Sequence, residues 1–204
     1  MFPKASYINR RNRLRKEIGS GLLLFPGNSE SAFNYPANTY TFRQDSAFSY
    51  FFGLDHPDFV GVIDIESGID YIFGDEVDLD DIIWMGPQPT VSEQATRIGV
   101  ESTATLEALD GFLITAINKG RKVHYLPPYR GETMIQLEHW LGIHHTKLKQ
   151  SVSLELIKGV IKLRSIKDEL EIADIESMVD VAYDMHTTAM KMAYPGIKEQ
   201  VISG

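Results

Sequence analysis

The chain has 204 residues, of which 43% are hydrophobic, so it can bury a sizeable core in one domain with part of a second. Its formal net charge of −8 argues against a nucleic-acid partner, since contact with a phosphate backbone needs clustered lysine and arginine. It contains no cysteine, which excludes a disulfide framework, a thiolate nucleophile and a cysteine metal site.

The first predicted element is a helix over residues 4–18, in which Tyr7, Leu14 and Ile18 form a thin apolar stripe. Five basic residues of this helix are interpreted as a solvated face: Arg10, Arg11, Arg13, Arg15 and Lys16. The apolar run after it, residues 22–25, is too short for a signal core, and no stretch approaches the ~20 apolar residues of a membrane span. We therefore expect a cytoplasmic protein without a membrane partner.

Short strands are predicted in the next part of the chain. Residues 22–25 are wholly apolar, as in a strand buried on both faces, and residues 26–38 form a loop rich in turn residues. Residues 59–65 and 69–73 flank the three-residue loop Glu66-Ser67-Gly68, in which glycine can adopt the left-handed conformation. These two strands are therefore expected to pair in antiparallel fashion.

Helices dominate the segment after this hairpin. Thr90 and Glu93 form a capping box, which predicts a short helix that ends at Gly99. Apolar spacing and turn residues predict three further elements: a helix over residues 103–118, a strand over residues 122–126 and a helix over residues 132–141. This order of elements predicts an α/β fold in which a mixed β-sheet is flanked by helices.

A long helix is predicted near the end of the chain. A short helix over residues 153–160 precedes it, and Ser165 with Asp168 predicts a capping box that opens a helix running to about residue 194. Its apolar stripe has a spacing of three and four throughout: Ile172, Ile175, Val179, Ala182, His186, Ala189 and Ala193. Because His186 lies within this stripe, we expect its side chain to be buried and hydrogen-bonded.

These patterns predict two domains. We assign residues 1–150 to the first domain and residues 151–204 to a linker and the first helix of a second domain, which the end of the chain truncates. The apolar surface of this helix is wider than the neighbouring elements can cover, so we expect it to pack against a further protein surface. We therefore expect a dimer or an exchange of this helix between two copies.

Few residues of the chain form a pattern typical of catalysis or metal binding. None of the six histidines belongs to a His-Glu-x-x-His pair, and the acidic loop over residues 75–81 lacks the glycine and final glutamate of a calcium loop. His144 and His145 are adjacent, so their side chains are expected to diverge, and a ligand role is the minority interpretation. No Gly-x-Ser-x-Gly or Gly-x-x-x-x-Gly-Lys segment occurs.

The most unusual stretch covers residues 40–53, where six aromatic residues surround Arg43, Gln44 and Asp45 and the run ends at Gly53. This mixture predicts a connection that plugs into the core while its polar groups hydrogen-bond to neighbouring backbone. We expect Arg43 and Asp45 to form a structural pair. The alternative places Arg43 beside the substrate path of a neighbouring subunit.

The same stretch carries a resemblance to a known family. The segment Phe42-Arg43-Gln44-Asp45-Ser46, followed by Phe48, Tyr50 and Gly53, resembles the signature of the N-terminal domain of Xaa-Pro aminopeptidases (aminopeptidase P), in the creatinase/prolidase group. Two further matches follow in order: Trp84-Met-Gly86 after an acidic loop, and Leu163-Arg164-Ser165-Ile166-Lys167 with Glu171-Ile172, Ala189-Met190, Pro195-Gly196 and Glu199. The resemblance therefore covers the whole chain.

This resemblance implies a parent enzyme that removes an N-terminal residue preceding proline, using two divalent ions, usually manganese. Two aspartates, one histidine and two glutamates hold these ions, and all five would lie beyond Gly204. The chain itself would then contain no catalytic residue and no metal ligand. Its implied partners are its own catalytic domain, further copies in a dimer or tetramer, and proline-containing peptides.

The resemblance also implies a role in restricting access to the active site. Trp84 would line the mouth of that site, with Arg43 and Asp45 as further substrate-access candidates, while a core position for Trp84 is the alternative. Pro87-Gln88-Pro89 departs from the family, because many relatives carry a basic residue there. Two other functions stay open: a fragment of a prolidase, or a non-catalytic peptide- or protein-binding module of the same fold.

Overall fold

The computed structural model describes residues 1–204, apart from the side chain of Asp80. Contacts divide the chain into two compact units, Met1–Leu163 and Arg164–Gly204. The first unit contains all the strands: β1 (Leu22–Pro26), β2 (Ala32–Tyr35), β3 (Asn38–Thr39), β4 (Val60–Asp64), β5 (Asp70–Phe73), β6 (Ser102–Ala104) and β7 (Val123–His124). Its helices are α1 (Lys4–Ile18), α2 (Ser46–Phe51), α3 (Leu79–Met85), α4 (Val91–Arg97), α5 (Leu106–Asn118), α6 (Gly131–Leu141), a 3-10 helix (His145–Gln150) and most of α7 (Leu154–Ser165).

The predicted mixed sheet is confirmed. Five strands lie in the order β6-β5-β4-β1-β7. β4 is antiparallel to both β1 and β5, whereas the two outer pairs, β1 with β7 and β5 with β6, are parallel. The hairpin between β4 and β5 turns at Gly68, whose φ of +74° is the left-handed conformation that glycine adopts without a steric penalty.

Both faces of the sheet are covered by helices. Side chains alternate between two cores along each strand, so that Leu23 faces one core while Leu22 and Leu24 face the other. Helices α1, α2, α4 and α7 pack on the first face, and α5, α6 and the 3-10 helix pack on the second. The wholly apolar sequence of β1 follows from this double burial.

The structure adds elements that the sequence pattern did not predict. Residues 102–104 form β6, not the start of a helix, and Thr105 caps α5 by accepting a hydrogen bond from Ala108 N. Strands β2 and β3 form a small hairpin in the second half of the predicted loop over residues 26–38, and β3 extends one residue beyond it. Helix α7 runs beyond the predicted residues 153–160, because Leu163 in its last turn packs in the first core.

The second unit consists of α8 (Glu169–Met192) and α9 (Glu199–Ser203). The long helix is confirmed, but its capping box is formed by Asp168 and Glu171, so the predicted pairing of Ser165 with Asp168 is wrong. His186 is exposed, which corrects its expected burial. The domain division at residue 150 stays a prediction. Among the described residues, every helix is too short or too polar to cross a membrane.

Helix α1 forms as predicted, but the interpretation of its basic residues as a solvated face is wrong for Arg10 and Arg11. Arg10 and Arg11 are both buried. The Arg10 guanidinium lies 4.2 Å from the centre of the Tyr50 ring and 4.6 Å from that of Phe2, within cation–π range. Burial lowers the pKa of Arg11, and the neighbouring Asp70 carboxylate offsets part of this effect. Two arginines of this helix therefore act as core residues.

His124 gives the first unit a predicted dependence on pH. Its buried Nδ1 lies 2.6 Å from Ser153 Oγ, and burial lowers its pKa, assisted by Lys122 and opposed by Glu155 and Glu66. The unfolded chain takes up this proton near pH 6.5, whereas the folded chain does not. The free energy of unfolding should therefore fall as the pH drops below about 6.5, until the pH passes the lower folded pKa.

Urea unfolding at about pH 7.5 and about pH 5.5 measures this effect, since both values lie above the ordinary carboxylate range. His124→Gln should lose most of the difference between the two pH values. His139→Gln is the matched control, because His139 is exposed. Equal pH dependence in His124→Gln and the unmodified chain would contradict the assignment.

Candidate functional site

Asp45 is the N-cap of α2. Its Oδ1 accepts hydrogen bonds from the backbone N–H groups of Ala47 and Phe48, each at 2.9 Å. Its Oδ2 accepts a hydrogen bond from the Tyr129 hydroxyl at 3.2 Å. Asp and Ser at the start of the aromatic run are typical of a helix N-terminus, and the predicted plug is therefore a short helix whose apolar face enters the core.

Gln44 is the polar anchor of this segment, and its three bonds to backbone groups agree with the prediction that polar groups of this stretch hydrogen-bond to neighbouring backbone. Its Oε1 accepts hydrogen bonds from the backbone N–H groups of Asn28 at 2.7 Å and Asp45 at 2.8 Å. Its Nε2 donates to the carbonyl of His56 at 2.8 Å. Because the side chain is buried, these bonds satisfy groups that water cannot reach.

Arg43 is exposed, and the predicted pair of Arg43 with Asp45 is wrong. Among the described residues, the hydrogen-bond donors to the Asp45 carboxylate are Ala47 N, Phe48 N and the Tyr129 hydroxyl, not Arg43. The backbone carbonyl of Arg43 accepts a hydrogen bond from Asn28 Nδ2 at 2.8 Å. The guanidinium is therefore available at the surface.

Asp45 also lines a small cavity at the carboxyl ends of β1 and β7. Its volume is about 40 Å³, with apolar walls and four polar residues: Asn28, Asp45, Tyr129 and Thr133. This volume admits water-sized molecules but not a peptide. Of the three residues predicted to act in substrate access, only Asp45 lines this cavity.

Trp84 lies on α3, in a segment that we call the arm, residues 77–90. The base of the arm is held by Glu76, whose carboxylate oxygens each lie 3.1 Å from Val91 N. Asp78 caps α3 by accepting a hydrogen bond from Asp81 N at 2.8 Å. The acidic loop predicted over residues 75–81 is shorter than expected, because α3 begins at Leu79. Its remaining carboxylates cap helices, since they satisfy free N–H groups at helix N-termini.

The apolar side chains of the arm are exposed. Trp84 has 87% of its surface accessible, so the alternative core position is wrong. Four other apolar residues of α3 are also exposed: Leu79, Ile82, Ile83 and Met85. A cluster of this kind on a helix secured at its base is typical of a contact surface.

One group of described residues could hold a metal ion. A ligand atom from each of Glu138, His144 and His145 lies within 4.8 Å of the other two. The ring centres of the two histidines are 4.2 Å apart, so the expected divergence of these side chains is wrong. The two-aspartate, one-histidine, two-glutamate set implied by the resemblance does not match this group.

The family model for the aminopeptidase P N-terminal domain matches residues 7–125. A probable Xaa-Pro aminopeptidase of Aspergillus terreus is 24% identical over 198 residues, covering 96% of this chain and 39% of that protein. A probable Xaa-Pro aminopeptidase of Coccidioides posadasii is 28% identical over 145 residues, covering 71% of this chain and 28% of that protein.

Solved structures show the same fold. The low-pH form of Escherichia coli aminopeptidase P superimposes with a TM-score of 0.81 at 21% identity, covering 100% of this chain and 48% of that one. Aminopeptidase PepP of Pseudomonas aeruginosa has the same TM-score, identity and coverage. The chain thus spans less than half the length of these relatives. Since the family model matches more than half of its residues, the chain belongs to the aminopeptidase P N-terminal domain family.

Proposed function

We propose that this chain is the non-catalytic N-terminal portion of an Xaa-Pro aminopeptidase, which removes an N-terminal residue that precedes proline. One observation carries the proposal. The relative from Aspergillus terreus aligns with 96% of this chain, but this alignment covers only 39% of the relative. In this proposal, the hydrolytic residues belong to the part of the enzyme that this chain does not include. The chain helps to build the enzyme and restricts access to its active site.

The metal chemistry of the proposed parent enzyme lies outside this chain. In that enzyme, two aspartates, one histidine and two glutamates would hold the metal ions that activate a hydroxide. The group of Glu138, His144 and His145 does not match this set, because it contains no aspartate and only one glutamate. These three residues therefore take no part in the proposed hydrolysis. Manganese as the metal and the cytoplasm as the location stay predictions. One solved relative is a zinc-substituted Escherichia coli aminopeptidase P in complex with product.

In this proposal the arm restricts the entry of peptides. Trp84 supplies an aromatic face against which a proline ring can pack, and its exposure leaves that face available. Arg43 is the second exposed candidate, while Asp45 acts mainly as the cap that orients its segment. Because the cavity beside Asp45 is too small for a peptide, access would depend on the surface of the arm.

A peptidase assay tests the proposed function. The purified 204-residue chain should release no product from an Xaa-Pro peptide in the presence of manganese, whereas the enzyme that contains this chain should. In that enzyme, Trp84→Ala should raise KM about tenfold, consistent with loss of roughly 1.4 kcal/mol of apolar contact, and leave kcat within about twofold.

Two controls accompany this assay. Trp84→Phe keeps an aromatic face and should restore most of the affinity. Ile83→Ala removes a neighbouring exposed side chain of α3 and should have less effect than Trp84→Ala. Turnover by the isolated chain would overturn the non-catalytic assignment, and an unchanged KM in Trp84→Ala would overturn the role of the arm.

We also propose that α8 mediates self-association of the chain. The helix has 24 residues, and its apolar stripe is exposed within its own unit, with Ile175 at 47% and Val179 at 58%. Two copies that pair along such stripes would bury apolar surface that otherwise faces water. The proposed oligomer, a dimer or tetramer, is supported by this exposure.

Light scattering during gel filtration should give at least twice the mass of one chain. The double variant Ile175→Glu/Val179→Glu places two charges on the stripe and should shift the mass to that of one chain, since buried unpaired charges are costly. Asp180→Asn is the control, because it changes an exposed polar residue of the same helix. A monomeric unmodified chain would count against the proposal.

A further inference from the structure

Two imidazoles and one carboxylate converge at the corner between α6 and the 3-10 helix. Glu138 lies in the last turn of α6, while His144 and His145 begin the next element. One potential ligand atom from each lies within 4.8 Å of both others. The His145 Nδ1 and its backbone N both lie within hydrogen-bonding distance of Glu138 Oε2, at 2.7 and 3.0 Å.

The backbone brings these residues together by reversing at Gly142. This residue has φ of +64° and ψ of +19°, the left-handed conformation that ends α6, and its N–H donates to the carbonyl of Glu138 at 2.9 Å. The chain therefore folds back over the last turn of the helix. In this way, residues six and seven positions after Glu138 in sequence lie beside it in space.

The corner is held in place by the second core. Leu148, in the 3-10 helix, is fully buried, and its carbonyl accepts a hydrogen bond from the buried Tyr125 hydroxyl at 2.9 Å. The His144 ring is oriented by a contact of 2.9 Å between its Nδ1 and Thr146 Oγ1. Both rings are thus positioned by neighbours, and a ligand set held on a rigid element needs little reorganisation.

We propose that Glu138, His144 and His145 form a binding site for a divalent transition-metal ion of the zinc class. Two imidazoles and one carboxylate are a ligand set that zinc accepts, with a fourth position open to water. Mixed nitrogen and oxygen ligands of this kind favour zinc, nickel or copper over magnesium, calcium or manganese, which prefer oxygen. Its ligand set differs from the two aspartates, one histidine and two glutamates implied for the proposed peptidase.

The geometry needs only a local adjustment. Ligand bonds of about 2.0–2.1 Å in a tetrahedral site place the donor atoms about 3.3 Å apart. His145 Nδ1 and Glu138 Oε2, at 2.7 Å, must therefore separate slightly, whereas donors near the 4.8 Å limit of the group must approach each other. Glu138 and His145 have side chains 37% and 50% exposed, which leaves room for rotamer changes. On binding through His145 Nδ1, the ion takes the place of the hydrogen bond between His145 and Glu138, and the neutral His145 ring then carries its single proton on Nε2.

Titration calorimetry of the 204-residue chain with zinc chloride tests this inference. We expect one ion per chain with micromolar or tighter affinity, and no detectable binding of manganese or magnesium under the same conditions. His144→Ala and His145→Ala should each weaken binding by more than about tenfold, since even groups behind the ligands contribute about 10- to 100-fold. His139→Ala is the matched control, because this exposed histidine of α6 contacts Asp110 instead.

Cobalt supplies a second measurement that does not depend on a variant. Cobalt(II) bound to two imidazoles and a carboxylate in a four-coordinate site gives the intense visible absorption bands that are typical of tetrahedral cobalt. Added zinc should displace the cobalt and remove these bands. Weak octahedral bands, or zinc binding lost equally in His139→Ala, would overturn the proposal. So would zinc binding that His144→Ala and His145→Ala leave unchanged.

Discussion

Replacement of Arg11 by methionine should lower the free energy of unfolding by about 3–5 kcal/mol, the loss typical of breaking a buried ion pair. Arg11 is completely buried. Its Nε donates to Asp70 at 2.7 Å, and its two terminal nitrogens donate to the carbonyls of Phe51 and Ile98, each at 2.8 Å. Methionine keeps most of the volume but leaves a carboxylate and two carbonyls without this donor.

Arg13→Met is the matched control for this experiment. Arg13 lies on the same helix and is exposed, so its loss should change stability by less than about 0.5 kcal/mol. Thermal and urea unfolding of both variants measure the difference. If Arg11→Met proved as stable as Arg13→Met, the guanidinium could not be the group that ties α1 to α2 and to the turn after α4.

Replacement of Gly53 by alanine should lower the free energy of unfolding by about 2–5 kcal/mol, the sum of two causes. The residue has φ of +63°, where an L-residue loses about 1–2 kcal/mol. A Cβ at this position would also lie 2.1 Å from Cζ of the buried Tyr7 ring, and such overpacking typically costs a further 1–3 kcal/mol, roughly. Urea unfolding of this variant measures the sum.

Gly120→Ala separates the two causes. Gly120 has a comparable φ of +72°, but a Cβ there would meet no atom within 4 Å. This variant should therefore show only the backbone cost of about 1–2 kcal/mol. Equal losses at Gly53 and Gly120 would mean that Tyr7 moves aside freely, and that the close contact between α1 and the end of α2 contributes nothing.

The successful sequence predictions rest on local signals. The capping box of Thr90 and Glu93 forms as predicted, because all of its atoms lie within one turn of chain. Gly68 marks the hairpin for the same reason, since the required backbone conformation belongs to glycine itself. The wholly apolar sequence of β1 correctly predicted that both of its faces are buried. The motifs around residues 42–46 and Trp84, which occur in the same order as in the family, indicated the family.

The candidate site shows which structural features short sequence patterns do not determine. Trp84 stays a predicted access residue, and whether it faces a core or solvent depends on what packs against α3. His144 and His145 converge only because Gly142 reverses the chain over Glu138. Gln44 carries three hydrogen bonds whose partners, Asn28 and His56 among them, are identified only once the chain is folded.

By itself, the sequence determined the strands, caps and turns whose causes lie within a few residues, and the family to which the chain belongs. The tertiary structure alone decided which charged side chains are buried. A sequence pattern assigns an arginine to solvent, because burying its charge is costly unless partners are present. The partners of Arg11 come from residues 40, 59 and 87 positions away, and only the complete fold brings their oxygens together around one guanidinium.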